Sequence, residues 1–435
     1  MTTLFAMQAT ASEFEREIRQ NRLMDVAADW ADELIFPHYD GLSIYNVSQT
    51  VQAIFGLQSP QPLDARVWNG SVPDVDRVFL FLTDGLGYLF LRELIADDPK
   101  FADIIGDISD GRGVLPLSSV APSTTAVALP VLWSASKPAQ TGMIGTLMFL
   151  RELSMLSDVL FFKPGLGRHA HGTLSQWGLE AETFVPVSSL PQRLADSGIA
   201  THLVLDWALS GTGLSRILHR GINQHHLHAG TLDFWLRLAD SLQATRGQRC
   251  YISAYWPVVD TLSHAYGARS RYVINEVHEQ MARLRDLLRD ESVQDGRTLV
   301  MVIADHGHSD YKQTLDFSQE PGAAPIRNAM RLTFGAEARF GYGYLREGTR
   351  TIVTDTIQKF FSDQLTWIDG SSAVTCGLFG NSEIHPDLNH RVGDIIMVPR
   401  EGTTLADASR PVKHRSGHGG LSEKEMLVPL LWKVI

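Results

Sequence analysis

The chain has 435 residues, a formal net charge of -11 and 44% hydrophobic residues. That is long enough for one large α/β body carrying insertions, and too acidic for general nucleic-acid binding, which needs a basic surface to displace the counterions around phosphates. Cys250 and Cys376, the only two cysteines, lie far apart beside apolar segments and read as free thiols rather than a disulfide framework or a thiolate metal site, as suits the cytoplasm.

From Ala11 to Ile35, Phe14, Ile18, Leu23, Val26, Ala27, Trp30 and Leu34 recur at helical spacing. This predicts an amphipathic helix that covers the main body or, alternatively, makes a homodimer contact. Arg77-Val-Phe-Leu-Phe-Leu-Thr83 is apolar on both faces, the pattern of a strand in a parallel sheet, and Asp84-Gly85 ends it. Similar strands are predicted over Gly113–Leu117, Thr201–Leu205, Cys250–Tyr255 and Thr298–Ala304, with helices over Ser189–Ser197, Thr231–Ala244 and Arg271–Leu288. The alternation indicates a mostly parallel α/β sheet with helices on both faces, a three-layer α/β/α sandwich. From Asp310 to Val412 the chain turns to Gly, Pro and short alternating runs such as Ala338–Leu345, which reads as an inserted cap. The expected division is an N-terminal helix (1–35), a catalytic domain (36–309 and 413–435) and the cap (310–412). The N-terminus lacks the regions of a signal peptide, and no uncharged apolar run reaches the roughly 18 residues of a membrane helix, so a soluble cytoplasmic protein with no membrane partner is expected.

The residues that carry chemistry gather where predicted strands end, the place in an α/β sheet where ligands bind. Asp305-His306 closes the apolar run that begins at Thr298, and a cation there would satisfy ionisable groups that burial otherwise penalises. Asp260 and His264 are four apart, so on a helix both reach one ion. His418 lies in Ser416-Gly-His-Gly-Gly420, whose glycines let the backbone pass close to an ion or ligand. Asp84 can be a ligand or a plain turn residue before Gly85. In Pro122-Ser-Thr-Thr-Ala126 one hydroxyl can stand at a helix N-terminus, suited to a phosphate or a developing oxyanion, or can simply cap the helix. Together these positions outline a two-metal hydrolase. Arg168-His-Ala-His171 and His225-His-Leu-His228 read as solvated clusters, and Arg339 either faces substrate or belongs to a cap hairpin.

Leu82-Thr-Asp-Gly85, Ala121-Pro-Ser-Thr-Thr125, Asp260-x-x-x-His264, Ala304-Asp-His-Gly307 and Gly417-His-Gly-Gly-Leu-Ser422 followed by Glu425-Met-Leu-Val-Pro429 occur in that order. This set resembles the alkaline phosphatase superfamily, in particular its type I phosphodiesterase/nucleotide pyrophosphatase branch. The resemblance implies an alkaline-phosphatase-like α/β fold and two divalent metal ions. Asp260, His264 and His418 would hold the first, and Asp84, Asp305, His306 and the nucleophile oxygen the second. In the family the nucleophile lies nine positions before a Thr-Gly landmark that here reads Ser134-Ala135, and counting back nine from Ser134 gives Thr125.

Donors of His and Asp with no Cys suit Zn²⁺, and Mn²⁺ or iron can occupy the same set. The expected activity is hydrolysis of a small phosphoric ester, such as a nucleotide, through a phospho-threonine intermediate, with phosphodiesterase or nucleotide pyrophosphatase character. The alternatives are a phosphonoacetate-like phosphonate hydrolase, a phosphomonoesterase, and a non-catalytic metal-binding regulatory protein. A mutase of the superfamily would need a Ser and a large inserted domain, and a sulfatase a Cys at the nucleophile position.

Overall fold

The computed structural model describes residues 2–381 and 383–435. At its centre is a seven-stranded sheet made of β1 (Arg77–Thr83), β2 (Leu115–Ser118), β3 (Ala200–Asp206), β4 (Gln224–His228), β5 (Cys250–Trp256), β6 (Thr298–Ile303) and β7 (Leu427–Val434), in the order β2-β7-β6-β1-β5-β3-β4. The run β6-β1-β5-β3-β4 is parallel, and β7 is antiparallel to both of its neighbours. Every residue of β1, β5 and β6 is buried, which requires layers on both faces and explains why these strands read as unbroken apolar runs. The helical layers include α1 (Thr2–Gln20), α2 (Thr125–Ser134), α3 (Thr231–Ala244), α4 (Val258–Tyr266) and α5 (Arg271–Arg289), giving the three-layer α/β/α architecture. Pro130 lies inside α2, which continues through it to Ser134.

Register in the sheet puts its chemistry at one end. Arg77 of β1 lies level with Cys250 of β5 and Thr298 of β6, so the residues that follow the three strands emerge side by side. At the opposite end Arg77 is fully buried, donating to the carbonyl of Val293 at 2.7 Å and pairing with Asp295 at 3.1 Å.

The helix expected over Ala11–Ile35 stops at Gln20. Asn21 Nδ2 and Arg22 Nη1 instead donate to the backbone carbonyls of Pro37 and Leu34, at 2.8 and 2.7 Å, which holds the following segment folded back on itself. Trp30 and Leu34 are still buried, but from irregular backbone. Phe14 and Ile18 of α1 pack into this chain's own core.

The cap expected over 310–412 is not self-contained. A second, antiparallel seven-stranded sheet joins Leu365–Asp369, Ile395–Pro399, Phe340–Gly343 and Gly335–Glu337 to Leu147–Leu150, Met155–Asp158 and Lys163–Pro164. The segment after α2 therefore supplies three of its strands.

Cys250 and Cys376 are free. Among the described residues no helix is long and apolar enough to cross a membrane. His225, His226 and His228 lie on β4, the edge strand, where His226 Nε2 is 3.2 Å from Nδ1 of His202 on β3 and the two rings stack. Burial lowers the pKa of both. A histidine whose folded pKa is depressed stabilises the fold fully above its unfolded pKa of about 6.5 and loses that contribution as pH falls. The thermal midpoint of metal-loaded protein is thus expected to drop as pH falls below about 6.5, and more steeply than in His226→Phe. Identical slopes for the two proteins would remove the pair from the acid response.

Candidate metal centre

Three adjacent strands deliver three carboxylates to one spot. Asp84 follows β1, Asp305 follows β6, and Asp260 stands in the first turn of α4, just after β5. Gly85 makes the convergence feasible: its φ is +81°, and a Cβ there would lie 2.9 Å from Asp260 Cα and 3.0 Å from the His308 ring. The Gly85 N–H donates to Asp305 Oδ1 at 3.2 Å, as does the His306 N–H at 2.9 Å. Tyr255, at the end of β5, donates its hydroxyl to Asp84 Oδ2.

One cluster forms around His306, which is fully buried. Its Nε2 lies 3.4 Å from Asp84 Oδ1, 3.3 Å from Asp305 Oδ2 and 3.1 Å from Thr125 Oγ1, while Nδ1 faces the Gly307 carbonyl at 3.2 Å. With the ring proton on Nδ1, Nε2 presents a lone pair to the cluster. Thr125 is the first residue of α2, and its hydroxyl is 3.4 Å from Asp84 Oδ2. Thr124, the N-cap, turns its hydroxyl to Glu337 instead. Of the two threonines, Thr125 is the one whose hydroxyl meets a carboxylate of this cluster.

The second cluster surrounds Asp260. Its Oδ1 lies 2.8 Å from His308 Nε2, 3.3 Å from His264 Nε2 and 3.5 Å from His418 Nε2. His264 Nδ1 faces the Ser416 carbonyl at 2.9 Å and His418 Nδ1 the Ser123 carbonyl at 3.2 Å, which orients both Nε2 atoms toward the carboxylate. Donor atoms of Asp260, His306, His308 and His418 lie within 4.8 Å of one another, as do those of Asp84, Asp305 and His306. His306 is common to both groups, so the two positions are adjacent. His264 falls outside the four-donor group yet keeps its contact with Asp260.

Electrostatics identify what the clusters fit. Burial raises the pKa of Asp84 well above the ordinary carboxylate range, with the charges of Asp305 and Asp260 adding to it, and burial also raises that of Asp305. Burial would raise Asp260, but the imidazoles of His264 and His308 set against its carboxylate outweigh that and hold it well below the usual range. Burial lowers His418 well below its ordinary value and His308 to about 4, leaving these rings as neutral donors of lone pairs. Asp84 Oδ1 and Asp305 Oδ2 are buried without a hydrogen-bond partner. Unsatisfied carboxylate oxygens packed against imidazole lone pairs are costly alone and favourable around a divalent cation. The residues present fit a pair of such ions.

The loop carrying His418 is held from below. Glu425 accepts from Gly420 N at 2.9 Å and Ser422 Oγ at 2.6 Å, and it pairs with Arg339 at 2.6 Å. Arg339 is fully buried and faces Glu425 and the Arg400 carbonyl, at 2.8 Å for the latter, so the substrate-facing alternative for it does not hold. His308 and Tyr255 were not singled out in the sequence. His308 carried a readable signal, the His-x-His spacing with His306, whereas Tyr255 lies in the buried strand β5 as any core aromatic could. The Arg168–His171 segment keeps its rings on neighbours, His171 on Phe161 and His169 on Trp177, and neither it nor the β4 histidines joins a metal-type group among the described residues.

A cavity of about 340 Å³ opens beside Asp84, Thr125, Tyr255 and Asp260.

A sequence model described as type I phosphodiesterase / nucleotide pyrophosphatase matches residues 78–421. No curated protein sequence matches the chain. Among solved structures, murine ectonucleotide pyrophosphatase / phosphodiesterase 5 is 14% identical with a TM-score of 0.57, over 81% of this chain and 87% of that one; its inactive variant is described in complex with AMP. The human counterpart is 14% identical with a TM-score of 0.59, over 82% and 87% of the two chains. Phosphonoacetate hydrolase from Sinorhizobium meliloti 1021, described in complexes with phosphonoformate and with phosphonoacetate, is 15% identical; the phosphonoformate complex gives a TM-score of 0.59 over 84% and 92% of the chains. At these identities the structural likeness speaks for the fold.

Proposed function

From the premise that the chain belongs to the type I phosphodiesterase/nucleotide pyrophosphatase family, we propose that it is a metal-dependent hydrolase of phosphoric diesters with Thr125 as its nucleophile. The observation that carries this reading is the place of the Thr125 hydroxyl: at the N-terminus of a buried helix, 3.1 Å from His306 Nε2, in the cluster where carboxylates and imidazoles converge. Two divalent cations, Zn²⁺ or else Mn²⁺ or iron, would supply Lewis-acid stabilisation of the nucleophile, of the charge on phosphorus and of the leaving oxygen. Asp84, Asp305, His306 and Thr125 would hold one, and Asp260, His264 and His418 the other, with His308 beside them.

The chain's own groups do the rest. Asp84, fixed by Tyr255, faces the Thr125 hydroxyl and orients it. Free N–H groups and the dipole at the start of α2 favour the negative phosphoryl oxygens. In the first displacement Oγ1 of Thr125 bonds to phosphorus as the bond from phosphorus to the ester oxygen breaks, and the hydroxyl proton passes through solvent to the departing oxygen, which leaves as the alcohol. In the second, a water oxygen bonds to phosphorus, the Oγ1–P bond breaks and the hydroxyl is restored.

A diester is favoured over the alternatives by charge. Among the described residues, no Lys or Arg lines the cavity. A diester brings a single negative charge, whereas a monoester dianion, or phosphonoacetate with its added carboxylate, brings a further charge that the two cations would have to neutralise with no help from a cationic side chain in the lining. No expected ligand position is vacated, which counts against a purely regulatory metal-binding protein.

The test is hydrolysis of bis-p-nitrophenyl phosphate and p-nitrophenyl phosphate side by side, before and after chelation, with Zn²⁺ or Mn²⁺ restored. Metal-dependent cleavage that is faster for the diester is expected; equal or faster monoester cleavage would replace the diesterase reading with the monoesterase. His308→Ala should also weaken the first metal site by about 10- to 100-fold, as loss of a supporting partner does. This is read as metal retained after dialysis against a graded chelator, and unchanged retention would exclude His308 from that site.

A further inference from the structure

The cavity beside Thr125 is walled mainly by carbon. Thr125, Leu129 and Trp133 all line it and recur every four residues along α2, so one helix face carries the wall away from the hydroxyl. The segment after β3 contributes Leu209, Leu214 and Leu218. Phe161 also lines it and is 36% exposed. Apart from Asp84 and Asp260, the one acid in the lining among the described residues is Asp206, whose Oδ1 accepts from the Ala208 N–H at 2.8 Å. His219 is kept neutral, its pKa pushed down to about 3 by burial.

We infer that this cavity selects phosphodiesters bearing a compact, neutral, apolar group, aryl or branched alkyl, and rejects those whose organic group ends in a carboxylate or a second phosphate. The inference rests on the diesterase reading and names the substrate class of that same site. An apolar group gains by leaving water for these side chains. A carboxylate would lose its hydration, meet no Lys or Arg among the described residues of the lining and face the Asp206 charge. At about 340 Å³ the cavity sits at the small end of ligand pockets, roughly 300–1,000 Å³, which suits a single ring rather than a long chain.

The experiment compares phenylphosphonate, methylphosphonate and phosphonoacetate as competitive inhibitors of bis-p-nitrophenyl phosphate cleavage by the metal-loaded protein. Each inhibitor presents one substituent to the cavity. Phenylphosphonate is expected to bind at least about tenfold more tightly than the other two. Leu209→Arg, at a half-buried position, should abolish that preference and favour phosphonoacetate. Equal inhibition by all three, or phosphonoacetate as the tightest with the wild-type protein, overturns the inference. Should no diester be cleaved with any metal, the diesterase reading fails instead, and calorimetric titration with the same three phosphonates decides the cavity's preference independently.

Discussion

Replacing Thr125 by Ala should reduce diester turnover at least about a thousandfold, the scale on which loss of a covalent nucleophile acts, while metal content and thermal stability stay close to wild type. The hydroxyl is one donor among several in its cluster, since Asp84, Asp305 and His306 remain grouped without it. Deleting it removes the atom that attacks but not the cage. Thr124→Ala is the matched control, because the Thr124 hydroxyl turns to Glu337 and touches no carboxylate of the metal clusters. Steady-state rates and metal analysis of both variants check the assignment. A dead Thr124→Ala with an active Thr125→Ala would move the nucleophile by one residue.

The largest effect on stability is expected from Arg339→Ala, which should cost about 3–5 kcal/mol, the scale for removing one partner of a buried ion pair. Arg339 and Glu425 are both fully buried. Without the guanidinium, the Glu425 carboxylate keeps Gly420 N and Ser422 Oγ, the Thr403 carbonyl loses this donor, and the Arg400 carbonyl is left with the Thr403 N–H. Because Glu425 anchors the glycine-rich loop that presents His418, this variant should also lose the first metal more readily. Denaturant unfolding is the measure, and the double variant Arg339→Met/Glu425→Leu should be less destabilised than Arg339→Met alone, since no unpaired charge remains. A loss under about 1 kcal/mol in Arg339→Ala would mean that water or another group replaces the guanidinium.

Much of this arrangement was legible before any coordinates. Strands such as Arg77–Thr83 are buried on both faces, so their sequences carry a plain apolar signal, and residues that end such strands fall at the ligand-binding edge of the sheet. The same logic failed at the N-terminus. There Trp30 and Leu34 are buried at helix-like spacing, yet side-chain bonds from Asn21 and Arg22 to backbone carbonyls hold the segment irregular. Choosing Thr125 over Thr124 needed a resemblance, because either hydroxyl can cap a helix and only the tertiary structure shows which faces Asp84. The cavity walls were not readable. Leu129, Phe161 and Leu209 come from three separate segments and look like ordinary core residues until the fold brings them together. The partners of the cap's sheet were unreadable for a related reason: Leu147–Leu150, after α2, pairs with Gly335–Glu337 nearly two hundred residues later, and no local pattern announces such a partner.

The most direct test of the central claim is the stereochemical course at phosphorus. One enantiomer of phenyl p-nitrophenyl phosphorothioate would be hydrolysed in heavy-oxygen water by the metal-loaded protein. Two successive in-line displacements, through Thr125 and then water, give a thiophosphate product with net retention of configuration, the result expected here. Inversion would mean a single direct attack by water and would contradict the threonine-nucleophile account.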